Sequence, residues 1–215
     1  MLMQDFIAKY DKYIYFSFLP SYEGVKIRLT DLGKGGNIIQ IKDEVLQLLN
    51  KYAYGIDNTT LEIKLSNIIK NKGFNLSIAE SCTGGLISKS FTDISGASNF
   101  FLGSIVAYDN NIKNKILDIP IEYLDKYGAV SSEVSELMAL NVSKIFKSDI
   151  SISCSGISGP NGGTQEKPVG TVFITINYLG KIVTKDYIFK VDRKSHRLMT
   201  KQASLFMLWT LINKS

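Results

Sequence analysis

The sequence has few of the residues on which metal and disulfide chemistry depend. Its 215 residues include one histidine, His196, and two cysteines, Cys82 and Cys154. Two thiols outside any CxxC spacing cannot make a disulfide framework, so the pattern predicts a reduced, cytoplasmic chain. No segment has the spacing of metal ligands, and a single histidine excludes a histidine-rich centre, so no metal is expected.

Long apolar runs are also missing. No stretch approaches the roughly 20 apolar residues that span a bilayer, so no membrane contact is expected. The start, MLMQDFIAKY, has early acidic residues and no small-residue cleavage site, which disfavours a secretory signal. The net charge of +5 comes from lysines scattered along the chain. This scatter makes nucleic acid an unlikely partner.

The chain is predicted to form two domains, residues 1–54 and 55–215. The first contains two alternating strands and a helix, which indicate a small α+β domain. In the second, helical patterns alternate with short apolar strands, and a hairpin at Leu179–Gly180 precedes a long terminal helix. This alternation predicts an α/β fold, a layered sheet with helices packed on it.

The segment AESCTGG follows a buried strand at residues 79–85. Its hydroxyl, thiol and glycine residues are Ser81, Cys82, Thr83, Gly84 and Gly85. The segment fits a plain strand-to-helix turn. It fits equally well a site for a nucleophile, or a turn whose backbone N–H groups bind an anion.

A glycine-rich loop, CSGISGPNGGTQEKPVG, leaves a buried strand at residues 154–170. Glycines let backbone N–H groups approach a phosphate, Ser155, Ser158 and Thr164 add hydroxyls, and Lys167 adds a cation. The alternative is an irregular loop that needs glycine for backbone reasons. Because the spacing matches neither GxxxxGK[ST] nor GxGxxG, the loop gives little support for nucleoside triphosphate or dinucleotide binding.

A third candidate is the series Ser98, Tyr108 and Lys113, in GASNFFLGSIVAYDNNIK. A lysine, or a tyrosine near a lysine, can act as base for a serine when no histidine is available. The alternative is a capping serine, a tyrosine at a strand end and a solvated lysine. In the terminal helix, Arg193 and Arg197 can reach a phosphate or pair on the surface, and His196 between them is expected on the helix surface.

Five segments, in order, resemble the C-terminal domain of the competence/damage-inducible (CinA-like) family, the nicotinamide-mononucleotide deamidases. They are AESCTGGLIS, TDISGASNFFLGSIVAYDNNIKNKIL, YGAVSSEVSELMA, SISCSGISGPNGGTQEKPVGTVFI and DRKSHR, and they cover about residues 58–213. The resemblance implies hydrolysis of nicotinamide mononucleotide to nicotinic acid mononucleotide and ammonia, a step of pyridine-nucleotide salvage. It implies a homo-oligomer and no cofactor.

The resemblance also implies roles for residues. Ser98, Tyr108 and Lys113 are implied as catalytic, with Ser98 either attacking the carboxamide or positioning water, and Ser98 is favoured over Cys82, for which no base is visible. In the loop, Ser158 stands where the family usually has alanine. The implied substrate-binding residues are Ser81, Thr83, Gly84, Gly85, Ser155, Gly156, Gly159, Gly162, Gly163, Lys167, Arg193 and Arg197.

Residues 1–54 resemble the small middle domain that precedes the deamidase in long family members, and are interpreted as its remnant. Those members begin with a molybdopterin-binding-like domain linked to ADP-ribose pyrophosphatase activity, which is not expected here. The rival hypothesis is a non-catalytic nucleotide-binding protein, or a partner protein in competence or DNA damage. Nucleic-acid binding through the small domain is a third hypothesis and would depend steeply on salt.

Overall fold

The computed structural model describes residues 2–213, and the chain divides into two compact units, residues 1–54 and 55–215. The first unit consists of α1 (Gln4–Tyr10), β1 (Ile14–Ser21), β2 (Gly24–Asp31) and α2 (Ile38–Leu48). β1 and β2 form an antiparallel hairpin in continuous register. The side chain of Asn37 caps α2 by accepting a hydrogen bond from the N–H of Gln40. This small α+β piece is the one that the sequence predicted.

The second unit is built on a five-stranded sheet with the order β4-β3-β5-β6-β7. Its strands are β3 (Leu76–Glu80), β4 (Phe101–Val106), β5 (Ile150–Gly156), β6 (Thr171–Tyr178) and β7 (Lys181–Ile188). β3, β4 and β5 run parallel, whereas β6 is antiparallel to β5 and β7 is antiparallel to β6. The predicted α/β fold, a layered sheet with helices packed on it, is confirmed.

The helices of this unit pack with the sheet mainly through α7 and α8. Among the described residues they are α3 (Leu61–Lys72), α4 (Leu86–Thr92), α5 (Asn110–Leu117), α6 (Ile121–Tyr127), α7 (Ser132–Phe146) and α8 (Arg193–Ile212). α7 contacts all five strands and also α5 and α6, whereas α8 contacts β5, β6, α3 and α4. A salt bridge of 2.6 Å between Lys201 and Glu62, both nearly buried, joins α8 to α3. Among residues 2–213, no helix is long and apolar enough to cross a membrane.

The hydrophobic core lies mainly between α7 and the sheet. One cluster of fully buried residues comprises Ala79, Ala107, Leu117, Ile119, Val134, Met138 and Val142. The strands beneath α7 also carry hydroxyls. Ser153 of β5 donates to the Ser135 carbonyl at 2.6 Å, and Thr175 of β6 donates to Ser135 Oγ at 2.9 Å. These bonds satisfy polar groups that burial would otherwise leave unpaired.

The direction of the strands determines which loops meet. Because β3, β4 and β5 are parallel, the segments after Glu80, Val106 and Gly156 lie at one edge of the sheet. β6 begins and β7 ends at that edge, since Gly156 pairs with Val172 and Thr171 pairs with Ile188. The glycine-rich loop and the start of α8 therefore reach the same edge as the AESCTGG turn.

Candidate active site

A buried lysine contacts a serine where β3 and β4 end. Lys113 lies in the first turn of α5 and is 1% exposed. Its Nζ is 3.2 Å from Ser81 Oγ, 2.9 Å from the Ala107 carbonyl oxygen and 3.3 Å from the Tyr108 carbonyl oxygen. These contacts match the three N–H donors of an ammonium group, so the buried side chain is fully paired.

Burial lowers the pKa of Lys113 below its ordinary value of 10.5, and the carboxylate of Asp109 partly opposes this effect. In the neutral amine, two N–H groups can still donate to the carbonyls of Ala107 and Tyr108. The lone pair then faces Ser81 Oγ. A neutral Lys113 can therefore accept the proton of Ser81, as a base does for a nucleophilic serine.

Ser98, the predicted nucleophile, lies at the other edge of the sheet. It is exposed in a short 3-10 helix, Ala97–Asn99, that precedes β4, whereas Lys113 follows the end of β4. The six residues of this strand span about 17 Å at roughly 3.3 Å per residue. Within one chain, Lys113 therefore cannot act as base for Ser98. The structure assigns this contact to Ser81, which lies in the segment that the sequence left open as a nucleophile site and which the family resemblance implied as a substrate-binding residue.

The hydroxyl of Tyr108 also lies differently from the prediction. Its backbone carbonyl contacts Lys113, whereas its hydroxyl is bonded elsewhere. Its side chain is 58% exposed, and its Oη accepts a hydrogen bond of 2.5 Å from Nη2 of Arg193. The phenolic proton remains available for a further acceptor. Tyr108 therefore presents an aromatic ring and a hydroxyl donor at the mouth of the site.

Two arginines of α8 join the loops around the site. Besides Tyr108, Arg193 binds the Gly159 carbonyl through Nη1 at 2.9 Å. Arg197 donates to the Thr83 carbonyl from Nε at 3.1 Å and from Nη2 at 2.6 Å. The start of α8 thus holds the AESCTGG turn, the segment after β4 and the glycine-rich loop together. Both guanidinium groups were predicted here as substrate-binding groups.

A buried carboxylate that the sequence analysis missed fixes the turn that carries Ser81. Glu80 is fully buried at the end of β3 and accepts five hydrogen bonds. The donors are Thr83 Oγ1, Ser88 Oγ and the N–H groups of Gly85, Ile87 and Ser88. Carboxylates are favourable at helix N-termini. A glutamate between a buried strand and a glycine-led helix was the available signal.

The predicted anion site on the backbone of this turn is therefore corrected. The N–H of Gly85 donates to Glu80, and the N–H of Gly84 donates to the Ser81 carbonyl at 3.1 Å. Among the N–H groups of Thr83, Gly84 and Gly85, only that of Thr83 has no acceptor within the described residues 2–213. Gly84 and Gly85 have φ values of 58° and 93°, which residues with a side chain rarely adopt. The glycines are thus explained by the turn itself.

Two predicted phosphate ligands in the glycine-rich loop are engaged within the protein. Ser155 Oγ is buried and donates to the Ala129 carbonyl at 2.6 Å. Lys167 Nζ donates to the Tyr127 carbonyl at 2.6 Å, at the end of α6. These contacts tie the loop to the segment after α6. The one proton of the Ser155 hydroxyl is used in this way, whereas an ammonium group has two further N–H donors, so substrate binding by Lys167 stays a prediction.

Most glycines of this loop are explained by close packing. A Cβ atom at Gly156, Gly159 or Gly163 would come within 2.8 Å of a neighbouring atom, closer than such atoms approach. Gly162 lies in a shallow, open depression of about 430 Å³ between Pro160 and Val169. Neither Ser81 nor Lys113 lines this depression. Close packing of the backbone therefore accounts for most of these glycines, as expected for an irregular loop. Ligand binding by the loop stays a prediction.

The single histidine was expected on the helix surface, but it is buried. His196 is fully buried, with Nδ1 2.9 Å from Ser158 Oγ and Nε2 3.1 Å from the Gly170 carbonyl oxygen. Ser158 is itself buried, so its hydroxyl, like that of Ser155, is engaged inside the protein. Spacing in the sequence gave no signal of these contacts, which depend on where the loop folds back.

The model of the CinA C-terminal domain matches residues 58–212. The chain belongs to the CinA family. It is 42% identical over 211 residues to a CinA-like protein of Cytophaga hutchinsonii, an alignment that covers 95% of this chain and 50% of that protein. A CinA-like protein of Geotalea uraniireducens is 46% identical over 158 residues, which are 74% of this chain and 38% of that protein. The chain thus spans half or less of the length of these relatives.

A solved CinA-family structure has the same fold. The crystal structure of the competence/damage inducible protein from Agrobacterium tumefaciens superposes with a TM-score of 0.68 and 32% identity, over 71% of this chain and 93% of that one. In this CinA-family chain, the contact between Ser81 and Lys113 therefore lies within the part that the family shares.

The two cysteines of this CinA domain are buried, and Cys82 is a poor nucleophile. Cys82 is 4% exposed, and a hydrogen bond to Cys154 together with burial raises the pKa of its thiol well above the ordinary value. Cys154 is fully buried and lies 3.0 Å from Thr83 Oγ1. In the described part of the chain, no three histidine, cysteine, aspartate or glutamate side chains are grouped to hold a metal ion.

Proposed function

We propose that this CinA-family chain is an amidohydrolase that converts nicotinamide mononucleotide to nicotinic acid mononucleotide and ammonia. The observation that carries the proposal is the contact of 3.2 Å between the hydroxyl of Ser81 and the amine of the buried Lys113. A serine beside a desolvated lysine is suited to acyl transfer. The identity of the acyl donor comes from the resemblance of the sequence motifs.

The first half of the reaction forms an ester. Neutral Lys113 takes the proton of Ser81, and Oγ bonds to the carboxamide carbon of the substrate. The N–H of Thr83 is the candidate donor to the oxygen that becomes negative. Lys113 then returns its proton to the nitrogen, the carbon–nitrogen bond breaks, and ammonia leaves. The result is an ester of Ser81 with the carboxyl group of nicotinic acid mononucleotide.

The second half hydrolyses this ester. Lys113, again neutral, accepts a proton from water as the water oxygen bonds to the acyl carbon. The bond to Ser81 Oγ then breaks and the serine recovers a proton from Lys113. The overall reaction is balanced, because one water is consumed for each ammonia released and Lys113 ends in the protonation state in which it began. In the alternative mechanism, Lys113 activates water directly and Ser81 only donates a hydrogen bond.

The groups at the mouth of the site suit a nucleotide with an aromatic base. The exposed ring of Tyr108 offers a face for a pyridinium ring, which is a cation. Arg193, bound to the hydroxyl of Tyr108, offers its guanidinium group to a phosphate. Ring, phosphate and reacting carboxamide would then be held by neighbouring parts of one edge of the sheet.

A non-catalytic nucleotide-binding or competence-associated protein is the competing proposal. The decisive experiment incubates the purified protein with nicotinamide mononucleotide and measures ammonia together with nicotinic acid mononucleotide, with and without a chelator. Equal amounts of both products, unaffected by the chelator, are expected. If nicotinamide mononucleotide binds but neither product forms, the protein is a non-catalytic binding protein and the proposed amidohydrolase activity is refuted.

The covalent step needs its own measurement. Acid quenching during turnover, followed by mass spectrometry of the peptide that contains Ser81, should show on that residue the mass of nicotinic acid mononucleotide less one water. Added hydroxylamine should divert part of the product to the hydroxamate. A wild-type enzyme that turns over without either signal would favour direct attack by water.

A further inference from the structure

The buried histidine of α8 contacts both ends of the glycine-rich loop. His196 is fully buried and stands between Arg193 and Arg197, the two arginines at the candidate site. Through its ring nitrogens it reaches Ser158, near the start of the loop, and Gly170, at its end. One side chain thus joins two loop positions that are twelve residues apart.

The partners of the ring determine its tautomer. A carbonyl oxygen only accepts hydrogen bonds, so Nε2 must carry the proton that is donated to Gly170. Burial lowers the pKa of His196, and the nearby Arg193 acts in the same direction, whereas the bond to Gly170 opposes both. The ring is therefore neutral, Nδ1 is an acceptor, and the hydroxyl of Ser158 donates to it.

Other contacts show that these two ends form the base of the loop. The N–H of Gly170 donates to the Ile157 carbonyl at 2.8 Å, which brings the two ends together. The neighbouring carbonyl of Gly159 accepts from Arg193. The first turn of α8 therefore binds the base of the loop at three points and also carries Arg193, whose guanidinium group faces Tyr108.

We propose that His196 is a positioning residue, a clasp that fixes the glycine-rich loop against Arg193 so that both can bind the phosphate of the substrate. The proposal rests on the proposed function for the identity of that phosphate. Ser158 is 5% exposed, so its hydroxyl is closed to a substrate and the pair is not assigned as a second nucleophile and base. It acts by holding the loop, and its loss should weaken binding of the phosphate-bearing substrate without slowing the chemistry.

The kinetic test compares His196→Gln with Thr200→Val. A glutamine can place a donor near Gly170 but cannot at the same time place an acceptor near Ser158. Thr200 is one turn further along α8 and equally buried, and its side chain donates to the backbone carbonyl of His196 and not to the loop. The glutamine variant should raise KM for nicotinamide mononucleotide about tenfold, with kcat within about twofold, because one net hydrogen bond is worth about that factor. The valine variant should change neither.

Nicotinamide riboside, which lacks the phosphate, completes the kinetic test. Its KM should be about the same in wild type and His196→Gln, because His196 positions groups that bind only the phosphate. An equal rise of KM for both substrates, or a fall in kcat with KM unchanged, would refute the positioning role. If His196→Gln does not fold, Ser158→Ala takes its place, since it removes only the loop side of the contact.

Hydrogen exchange tests the clasp without relying on activity. Amides of residues 157–170 should exchange about tenfold faster in His196→Gln and Ser158→Ala than in wild type, and unchanged in Thr200→Val. Unchanged exchange in the two clasp variants would overturn the proposal. A wild type that releases no ammonia would refute the proposed function alone, and the exchange measurement would still decide whether the clasp exists.

Discussion

The amine of Lys113 lies 3.2 Å from the hydroxyl of Ser81, although 32 residues separate them in the chain. Parallel pairing of β3 with β4 brings them together. Ser81 follows the end of β3, and Lys113 lies in the first turn of α5, the helix that follows β4. Burial of the amine lowers its pKa and gives it the character of a base. This contact makes one chemical unit of two segments that are separate in the sequence.

Removal of either member of this pair should abolish deamidation. Ser81→Ala and Lys113→Ala should each reduce kcat/KM by about a thousandfold or more, because members of one proton-transfer unit are not replaceable singly. The measurement is ammonia release from nicotinamide mononucleotide, with circular dichroism to confirm folding. Ser98→Ala is the control and should stay within about twofold of wild type. An inactive, folded Ser98→Ala beside an active Ser81→Ala would restore the assignment made from the sequence.

The pH dependence of activity should report the state of Lys113. Lys113 must be neutral to act as base, so kcat/KM should rise with pH through its pKa, which burial places below 10.5. The carboxylate of Asp109 raises that pKa, and Asp109 also caps α5 by accepting from the N–H of Asn111. Asp109→Asn keeps a capping oxygen and removes the charge. It should therefore move the rising limb to lower pH.

The measurement is a profile of kcat/KM against pH for wild type and Asp109→Asn, with Asp125→Asn on exposed α6 as a control for the change in net charge. The control should leave the limb where it is in wild type. A limb that shifts equally in both variants, or not at all in Asp109→Asn, would contradict Lys113 as the titrating base.

The sequence predicted what depends on local pattern and missed what depends on the order of strands. The strands and most of the helices follow from periodicity. The site residues, Ser98 among them, were predicted from motifs that resemble the family, and motifs do not give distances in the fold. Only the parallel pairing of β3 and β4 shows that a residue before β4 lies a full strand length from one after it.

Buried polar contacts were the other part that the sequence could not predict. A glutamate, a histidine and a lysine are charged or polar residues that pattern analysis places at the surface. Here Glu80, His196 and Lys113 are each 1% exposed or less. The partners of Glu80 lie in the turn and helix that follow it directly, whereas His196 and Lys113 also bind residues distant in the chain. The distant partners depend on tertiary structure, and no spacing rule encodes them.

Arg193, and not Lys167, should carry the preference for a phosphorylated substrate. The guanidinium group of Arg193 is exposed beside Tyr108, whereas the amine of Lys167 is bound to the Tyr127 carbonyl at the end of α6. In wild type, nicotinamide mononucleotide should exceed nicotinamide riboside in kcat/KM by about a hundredfold, a reasonable value for charge-assisted hydrogen bonds to phosphate. Arg193→Ala should remove most of this gap, and Lys167→Ala should change it little. A gap that depends on Lys167 alone would contradict this assignment.

The carboxylate of Glu80 should be essential for the stability of the fold. Five donors converge on it, and in Glu80→Gln an amide NH₂ group would face some of them. The free energy of unfolding should fall by at least about 3 kcal/mol, because buried donors lose a charged acceptor. Urea unfolding at pH 7.5 gives the measurement, and Glu122→Gln on the exposed side of α6 is the control. Equal midpoints for wild type and Glu80→Gln would show that the five bonds contribute nothing net.

Stability should also fall in mild acid because of His196. Burial is the largest cause of its lowered pKa, so the folded protein binds a proton at lower pH than the unfolded chain, in which the pKa is near 6.5. Above pH 6.5 both states are neutral and the contribution is complete. As the pH falls below 6.5 the unfolded chain is protonated first, and the free energy of unfolding declines, by at most about 1.4 kcal/mol per pH unit, until the folded state also titrates.

Since His196 is the only histidine in the chain, this decline can be isolated between pH 7.5 and 5.5. Urea unfolding across that range should show a loss of stability in wild type that is absent in His196→Gln, although the variant starts from a lower value at pH 7.5. Thr200→Val should keep the pH dependence of wild type, because it retains the buried ring. Parallel curves for wild type and His196→Gln would mean that the ring is protonated as readily in the folded protein as in the unfolded chain, and the neutral acceptor at Nδ1 would have to be abandoned.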